Sequence, residues 1–581
     1  MTEHWEPIVL SAKVFGHLAQ GLYRTPAGAI KELISNSFDA DANLVRIHTG
    51  FPRFETFSCE DDGTGMSEDE FRRLMNRGIG SSYKRISPAT VTEVYKRPLI
   101  GRLGLGILSL AQICTRFEIL SHHKGTKTAF RATIQFPPYT RQEMDKIVKR
   151  LTEKTEDEQV FGGKYQLFKE QYDPVKKGVR VFTKYLRESF RKRMRTTLQR
   201  FANKKTFGTS EPYKTFQVYL GSIYGGSKPV QSLNLVSDYD QLLFGLALAA
   251  PLRYIEDRNL VIQLPMMRDR QSRLLNFDFQ VQVDNLSLAN PVWLPSDREG
   301  HSAKQCRLAG SEKRSFELID GPAKEICSAV QHRVTVKNSD VQFNLYEISY
   351  ANDNVAGSQL QFNGYLFQQT GRLYPRDIQG VLIRLQNVAI GKYDNSMLSY
   401  PYAEGPRYSM VSSEFFIQRG FEDALNIDRD SFNELHPHYI RLQSYVHSLL
   451  HDVIFPETWS EEKERNKARR DQAAEARESK FVERYRKTTG DSIRSIQRVE
   501  KPRTEQPTSA LRESPVEFKG RRGQIEIDRN HPLLKPLFRR RKYAPLVEKL
   551  VVAFERSNHE STAPRRRELF YKLLAEIFSD L

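Results

Sequence analysis

The stretch Ala29-Ile30-Lys31-Glu32-Leu33-Ile34-Ser35-Asn36-Ser37-Phe38-Asp39-Ala40 constrains this chain more than any other. Thr25-Pro26 ahead of it supplies a helix start: a capping hydroxyl, then proline at the first helical position, where its missing N–H costs nothing. In the helix this predicts, Glu32 and Asn36 stand four residues apart and Asp39 about a turn further on. A carboxylate, a carboxamide and a second carboxylate then share one face. Leu33, Ile34 and Phe38 fill the buried side. Taken alone, the segment is an amphipathic helix with a solvated acidic stripe.

Three downstream glycine blocks change that reading. Phe54 to Glu60 reads as a strand ending in Asp61-Asp62-Gly63-Thr64-Gly65-Met66, where glycines permit a tight, close-approach backbone. Gly78-Ile79-Gly80-Ser81-Ser82-Tyr83-Lys84 follows, then Ile100-Gly101-Arg102-Leu103-Gly104-Leu105-Gly106, which runs into the apolar pattern Ile107 to Ile113. Glycines that open a helix expose N–H groups at its positive dipole end, an arrangement suited to phosphate. One such block is common; the helix stretch and these three blocks, four in this order, are not.

Together these residues resemble the GHKL ATPase superfamily of the Bergerat fold: the gyrase ATPases, the ninety-kilodalton heat-shock chaperones (HSP90-like), histidine kinases and MutL. Glu32 to Ala40 looks most like the chaperone version, including a lead-in helix from Val14 to Tyr23. The resemblance implies ATP and Mg²⁺ as ligands. By it, Glu32 is the general base that orients and deprotonates water, and Asn36 coordinates the Mg²⁺. Asp62 accepts from the adenine amino group, Gly65 and Met66 wall the adenine pocket, and Asp39 joins the cofactor-binding set. Gly101, Gly104 and Gly106 are the hinge and phosphate cradle of a lid from about Met66 to Gly106, with Lys84 inside it as a phosphate contact. Phosphoryl transfer needs such positioning and charge neutralisation more than covalent chemistry. The family usually ends the domain with Gly-Thr on a strand, the threonine supporting the adenine-binding aspartate. Here Gly178-Val179-Arg180-Val181-Phe182-Thr183 puts Val179 at that position, with Thr183 two pleats later as an imperfect substitute.

At 581 residues the chain implies several domains. The expected fold class is α+β. A GHKL-type α/β sandwich occupies 1–190, with Val45 to Thr49, Arg116 to Ser121 and Thr128 to Phe136 as further strands and Thr140 to Gln159 as a charged helical insertion. A basic helical connector covers 191–255 and contains a buried helix at Leu242 to Ala250. A strand-rich α/β middle domain covers 256–455, with candidate strands Leu260 to Leu264, Phe277 to Val283, His332 to Val336, Gln342 to Ser349 and Gly380 to Gln386. A charged helix and a Pro/Ser-bearing linker (Thr488 to Val516) fill 456–516. A helical region, 517–581, carries two wide apolar stripes that either fold back on the body or form a homodimer contact.

In the middle domain, Leu425-Asn426-Ile427-Asp428-Arg429 resembles the chaperones' catalytic loop. By that match Arg429 is an in-cis arginine finger, its planar guanidinium suited to the γ-phosphate, and Asn426 shapes the loop. The plain alternative is a helix start with a local Asp–Arg pair. Related families use a lysine instead, for which Lys392 is the candidate.

Four scattered cysteines imply neither a zinc site nor a disulfide framework. The N-terminus lacks the pattern of a signal peptide, and the longest apolar run, Leu242 to Leu252, is too short to span a bilayer. A cytoplasmic protein without a membrane is expected. The formal charge of +18, with runs such as Arg539-Arg540-Arg541-Lys542 and Arg565-Arg566-Arg567, fits either solvated helix faces or a nucleic-acid partner. The leading expectation is an ATP-driven conformational machine acting on a protein client. The alternatives are a MutL/MORC-like nucleic-acid clamp and a nucleotide-gated scaffold with little turnover. A histidine kinase is disfavoured, because Glu32 sits where hydrolysing members carry their base.

Overall fold

The computed structural model describes residues 6–11, 25–76, 91–100, 106–136, 159–202, 213–318, 325–426, 430–490, 495–499, 515–531 and 544–578, with short breaks inside these ranges at 174, 225–229, 257–258, 296–305, 337–341, 520–523 and 529. The chain divides into two compact units, Met1–Thr458 and Trp459–Leu581.

The first unit begins with β1 (Glu6–Ser11) and α1 (Pro26–Asp39). Thr25 Oγ1 caps α1 by accepting from Gly28 N at 3.2 Å, and Pro26 occupies its first turn, as the sequence predicts. Then come β2 (Leu44–His48), β3 (Phe57–Asp61), α2 (Glu68–Asn76), a 3₁₀ turn (Gly106–Gln112), β4 (Cys114–His123), β5 (Thr128–Gln135), β6 (Gln159–Glu170) and β7 (Gly178–Leu186). Helices α3 (Glu188–Ala202), α4 (Phe216–Tyr224), α5 (Asp238–Ala249) and α6 (Pro265–Asn276) precede β8 (Gln280–Val283) and β9 (Leu286–Ser287).

These strands form one nine-stranded sheet in the order β1-β6-β5-β4-β7-β3-β2-β8-β9. Alternation decides its faces: Phe57, Cys59 and Asp61 of β3 turn inward while Glu60 is exposed. On the inward side, Ile30, Leu33, Ile34 and Phe38 of α1 share a core with Val45, Ile47, Phe117, Ile119 and Val181 of the sheet.

Three expectations change here. The run Phe277 to Val283, expected in the middle domain, supplies β8 to the first sheet instead, pairing in parallel with β2, Val281 opposite Val45. Helices α4 and α5 also belong to the first core, through Tyr219, Leu220, Leu243 and Leu246. The nucleotide-side layer therefore runs past residue 190 to about residue 294. Leu260 to Leu264, expected as a strand, is a 3₁₀ turn (Leu260–Gln263); a short apolar run does not distinguish the two. The lead-in helix Val14 to Tyr23 and the insertion Thr140 to Gln159 lie almost wholly outside the described residues.

A second, seven-stranded sheet follows: β10 (Cys306–Glu317), β11 (Ile326–Val336), β12 (Gln342–Val355), β13 (Ser358–Gln369), β14 (Gly380–Leu385), β15 (Val388–Asp394) and β16 (Val411–Arg419). Its order is β10-β11-β12-β13-β16-β14-β15, with β14 and β16 parallel. One face packs on α7 (Pro437–Leu449), through Tyr350, Phe362, Leu442 and Tyr445. The opposite face sends Phe343, Tyr365, Phe367 and Phe416 into the core shared with the first sheet. At that junction Arg384 and Glu414, both essentially unexposed, pair at 2.7 Å. Glu414 Oε2 also accepts from Tyr254 OH (2.8 Å) and Tyr365 OH (2.6 Å), and Arg384 donates to the Leu248 carbonyl of α5 at 2.9 Å.

In the second unit the charged helix α8 (Phe455–Thr489, entering from the first unit) buries Phe481, Val482 and Tyr485 near its end. They pack against a three-stranded sheet, β17 (Ser495–Val499), β18 (Val516–Lys519) and β19 (Gln524–Asp528), in the order β17-β19-β18. Helices α9 (Ala544–Asn558) and α10 (Ala563–Phe578) complete this core with Val552, Ala553 and Leu573. The expected linker thus contains a strand and the expected helical end contains two. Four- and five-residue strands flanked by polar residues leave too little alternation to read. Leu546, Leu550 and Val551 of α9 and Leu569 and Phe570 of α10 pack against this core, while Phe554 is exposed. No helix among the described residues is long and apolar enough to cross a membrane.

Candidate nucleotide-binding site

Helix α1 carries the site. Glu32 is 3% exposed and Asn36, one turn on, is half-buried. Ser37 then joins the helix to the sheet: its hydroxyl donates to Asp61 Oδ2 at 3.1 Å. Asp61 Oδ1 accepts from Gly63 N (2.9 Å) and Val179 N (3.3 Å). Gly65 and Gly178 both turn at positive φ, where a Cβ would strike the His122 carbonyl at 2.3 Å or the Asp61 carbonyl at 2.1 Å. Met66 is half-buried, its backbone N–H and carbonyl both held by Ser121 Oγ (2.8 and 2.9 Å). Burial pushes the Asp61 carboxyl up from 3.8 to about 6. Its three hydrogen bonds offset part of that rise and the charge of Asp62 adds to it.

Asp62 is not the inward carboxylate. It is exposed, and its Oδ1 accepts from Asn43 N (2.7 Å) and Leu44 N (2.9 Å) outside the pocket. Strand alternation places Asp61 with Phe57 and Cys59 on the core face, and Asp62 falls beyond the strand end. The missed signal was spacing: Asp61 stands two and four residues before Gly63 and Gly65. Thr183 does not support the aspartate either. Its hydroxyl bonds the Arg116 carbonyl and accepts from Tyr185 N at 2.9 Å. Two pleats, four residues, separate it from Val179, roughly 13 Å of strand. Ser37, on the opposite layer, supplies the hydroxyl instead.

Asp39 Oδ1 accepts from Ile100 N at 2.8 Å, which fixes the end of the expected lid to the end of α1. Two neighbours that the sequence did not single out reinforce that anchor. Asp41 accepts from Thr92 Oγ1 (2.5 Å), Val94 N (2.8 Å) and Tyr95 N (3.2 Å). Arg97, wholly buried, donates to the carbonyls of Phe38 (3.2 Å) and Ala42 (2.7 Å), a cation at the negative end of the helix dipole. No local pattern marks Arg97, because the carbonyls its guanidinium donates to are 55 or more residues away in sequence. Gly106 opens the 3₁₀ turn after the lid, which Ser109 fastens to α1 through the Ala29 carbonyl at 2.8 Å. Lys84, Gly101 and Gly104 lie outside the described residues.

Arg429 also lies outside them, but its loop is framed on both sides. Asn426 N donates to the Ser431 carbonyl (3.0 Å) and Asn426 Nδ2 to Ser431 Oγ (2.9 Å). Asp430 Oδ1 accepts from Lys31 Nζ at 2.7 Å, so this loop reaches α1. Lys392 is exposed on β15.

Residues 23–164 match the family described as "Histidine kinase-, DNA gyrase B-, and HSP90-like ATPase". The first domain is a GHKL ATPase domain. The DNA mismatch repair protein MutL of Anaplasma phagocytophilum (strain HZ) is 27% identical over 135 residues, 23% of this chain and 20% of that protein. MutL of Thiobacillus denitrificans (strain ATCC 25259 / T1) is 27% identical over 131 residues, 22% of this chain and 21% of that protein. The chain thus spans about a fifth of the length of these relatives. A crystal structure titled as the N terminal domain of a DNA repair protein aligns over 77% of this chain and 98% of its own. Its identity to this chain is 12% and the TM-score 0.32. The matches support ATP-binding ATPase chemistry without separating the chaperone-like branch of GHKL proteins from the MutL-like one.

Proposed function

We propose that the chain is a Mg²⁺-dependent ATPase that couples nucleotide turnover in its GHKL domain to the seven-stranded domain beside it. The observation that carries this reading is Asp61. It is a buried carboxylate whose partners among the described residues are all neutral donors, on the wall facing α1. Such a group is suited to accept from a neutral amino group, as adenine presents, where a cation would instead close the pocket. Asp61 therefore takes the adenine role first expected of Asp62.

Glu32, buried one turn before Asn36, would hold the attacking water and take its proton. The lid anchored by Asp39, Asp41 and Arg97 would exclude bulk solvent. Among the described residues no three His, Cys, Asp or Glu side chains gather into a metal cage. One carboxamide oxygen from Asn36 suits Mg²⁺ instead, since that ion takes few protein ligands and completes its shell with phosphate oxygens and water. Bound there, it would neutralise charge on the transferred phosphoryl group. Arg429 is the arginine for the γ-phosphate in this reading, with Lys392 as the alternative.

The test is steady-state turnover of MgATP by the purified chain, with affinity for the β,γ-imido analogue of ATP measured by calorimetry. Tight binding without turnover would favour the nucleotide-gated scaffold. A nucleic-acid clamp is the second reading, favoured by MutL relatives and by exposed basic residues such as Lys192, Arg193 and Arg200 on α3. Stimulation of turnover by DNA, lost at high salt, would favour it over a machine acting on a protein client.

A further inference from the structure

The ammonium of Lys31 and the carboxylate of Asp430 meet at 2.7 Å across 399 residues of chain. Lys31 immediately precedes Glu32, and its side chain is 5% exposed against 27% for Asp430. Asp430 closes a loop that opens at Asn426. The base of that loop is fixed by the two Asn426–Ser431 hydrogen bonds and by the bridge between Leu425 and Phe432. The backbone of Asp430 also seats on β15: Gly391 turns there at positive φ, and a Cβ in its place would lie 2.7 Å from the Asp430 carbonyl. One residue therefore touches the second sheet with its carbonyl and the hydrolytic helix with its carboxylate.

The geometry points to Lys31 and Asp430 as a positioning pair that registers the second domain against Glu32, so that ATP turnover depends on it and ATP binding does not. This rests on the ATPase reading above. A reacting group displaced by about 1 Å loses about 10²-fold in rate. A supporting contact one residue from the base is placed to prevent such a displacement. Burial makes the contact stiff: the Lys31 side chain is already immobilised, and an ammonium stripped of its carboxylate in that position is unfavourable. The adenine wall is remote from it, since Ser37 lies six residues on, about 9 Å along the helix. Neither Lys31 nor Asp430 need touch the nucleotide for this role.

The experiment measures kcat and analogue affinity for the full chain and for Asp430→Asn, Asp430→Glu, Lys31→Met and the double variant Lys31→Met/Asp430→Asn. Expected are a kcat lowered about 10²-fold in Asp430→Asn and Lys31→Met, analogue affinity within about threefold of wild type, and substantial recovery in Asp430→Glu. The double variant should be no slower than either single one, because the pair acts as a unit. If Lys31→Met fails to fold, the more exposed Asp430 variants still decide the question. Normal kcat in Asp430→Asn, additive losses, or a loss of affinity equal to the loss of kcat would each overturn the positioning role. A wild-type chain that does not turn ATP over overturns the ATPase reading itself, whereas normal turnover in Asp430→Asn beside an active wild-type chain overturns this role alone.

Discussion

Two buried carboxylates in the first unit face opposite demands. Glu414, in the joint between the sheets, pairs with Arg384 and accepts from two tyrosine hydroxyls, so its charge is met in full by protein. Asp61, at the end of β3 and facing α1, has one hydroxyl and two backbone N–H groups and no cation among the described residues, and burial lifts its carboxyl to about 6. The first is a joint, costly to break and useless to a ligand. The second keeps accepting capacity in reserve, which is what a binding site requires.

A third buried carboxylate, Glu32, tests the contrast hardest. Glu32→Ala should lower kcat about 10²- to 10⁴-fold while leaving analogue affinity near wild type, because a base acts on water and need not hold the nucleotide. Steady-state and binding measurements on one preparation check it. Wild-type turnover would return Glu32 to a structural role.

Glu414→Gln should destabilise the chain by about 3–5 kcal/mol, since it leaves the Arg384 guanidinium buried without its anion. Denaturant unfolding reads this directly, and a loss below about 1 kcal/mol would mean that the joint tolerates an unpaired cation. Asp61→Asn should weaken analogue binding about a hundredfold, by mixing donors into an acceptor site. Asp62→Asn should leave affinity unchanged and cost about 1 kcal/mol or less, as two backbone donors keep an amide acceptor. Calorimetry showing the reverse order would restore Asp62 as the adenine residue.

The same carboxylate also predicts an effect of pH. The Asp61 carboxyl rises on folding, so the unliganded chain gains stability from it fully below about 3.8 and loses that gain as pH rises through about 6. The shift of about two units corresponds to about 3 kcal/mol at most. Analogue affinity should run the opposite way, falling as pH drops through about 6, because the protonated carboxyl no longer accepts. In Asp61→Asn the part of both profiles due to this residue should vanish.

Much of this protein is legible in one dimension. Thr25-Pro26 and the spacing of Glu32 and Asn36 specified a capped helix with both side chains one turn apart, and the glycines after Asp61 specified a tight turn at the end of β3. These signals are local, a few residues of backbone geometry each, and they need no distant partner. Strand alternation was equally legible where one face is wet, as in β2 and β3, whose buried residues alternate with more exposed ones. Other assignments waited for the folded chain. Whether Asp61 or its neighbour faces the pocket depended on where β3 stops and on what Asn43 and Leu44 needed for their N–H groups. The role of Ser37 required the opposing layer, and those of Arg97 and Asp430 required partners 55 and 399 residues away. That β8 belongs to the first sheet was fixed by its pairing with β2, because a four-residue strand carries no mark of the domain that will receive it. Pairings across such distances are chosen by burial and charge compensation in the folded chain, and those energies do not exist until the chain has closed on itself.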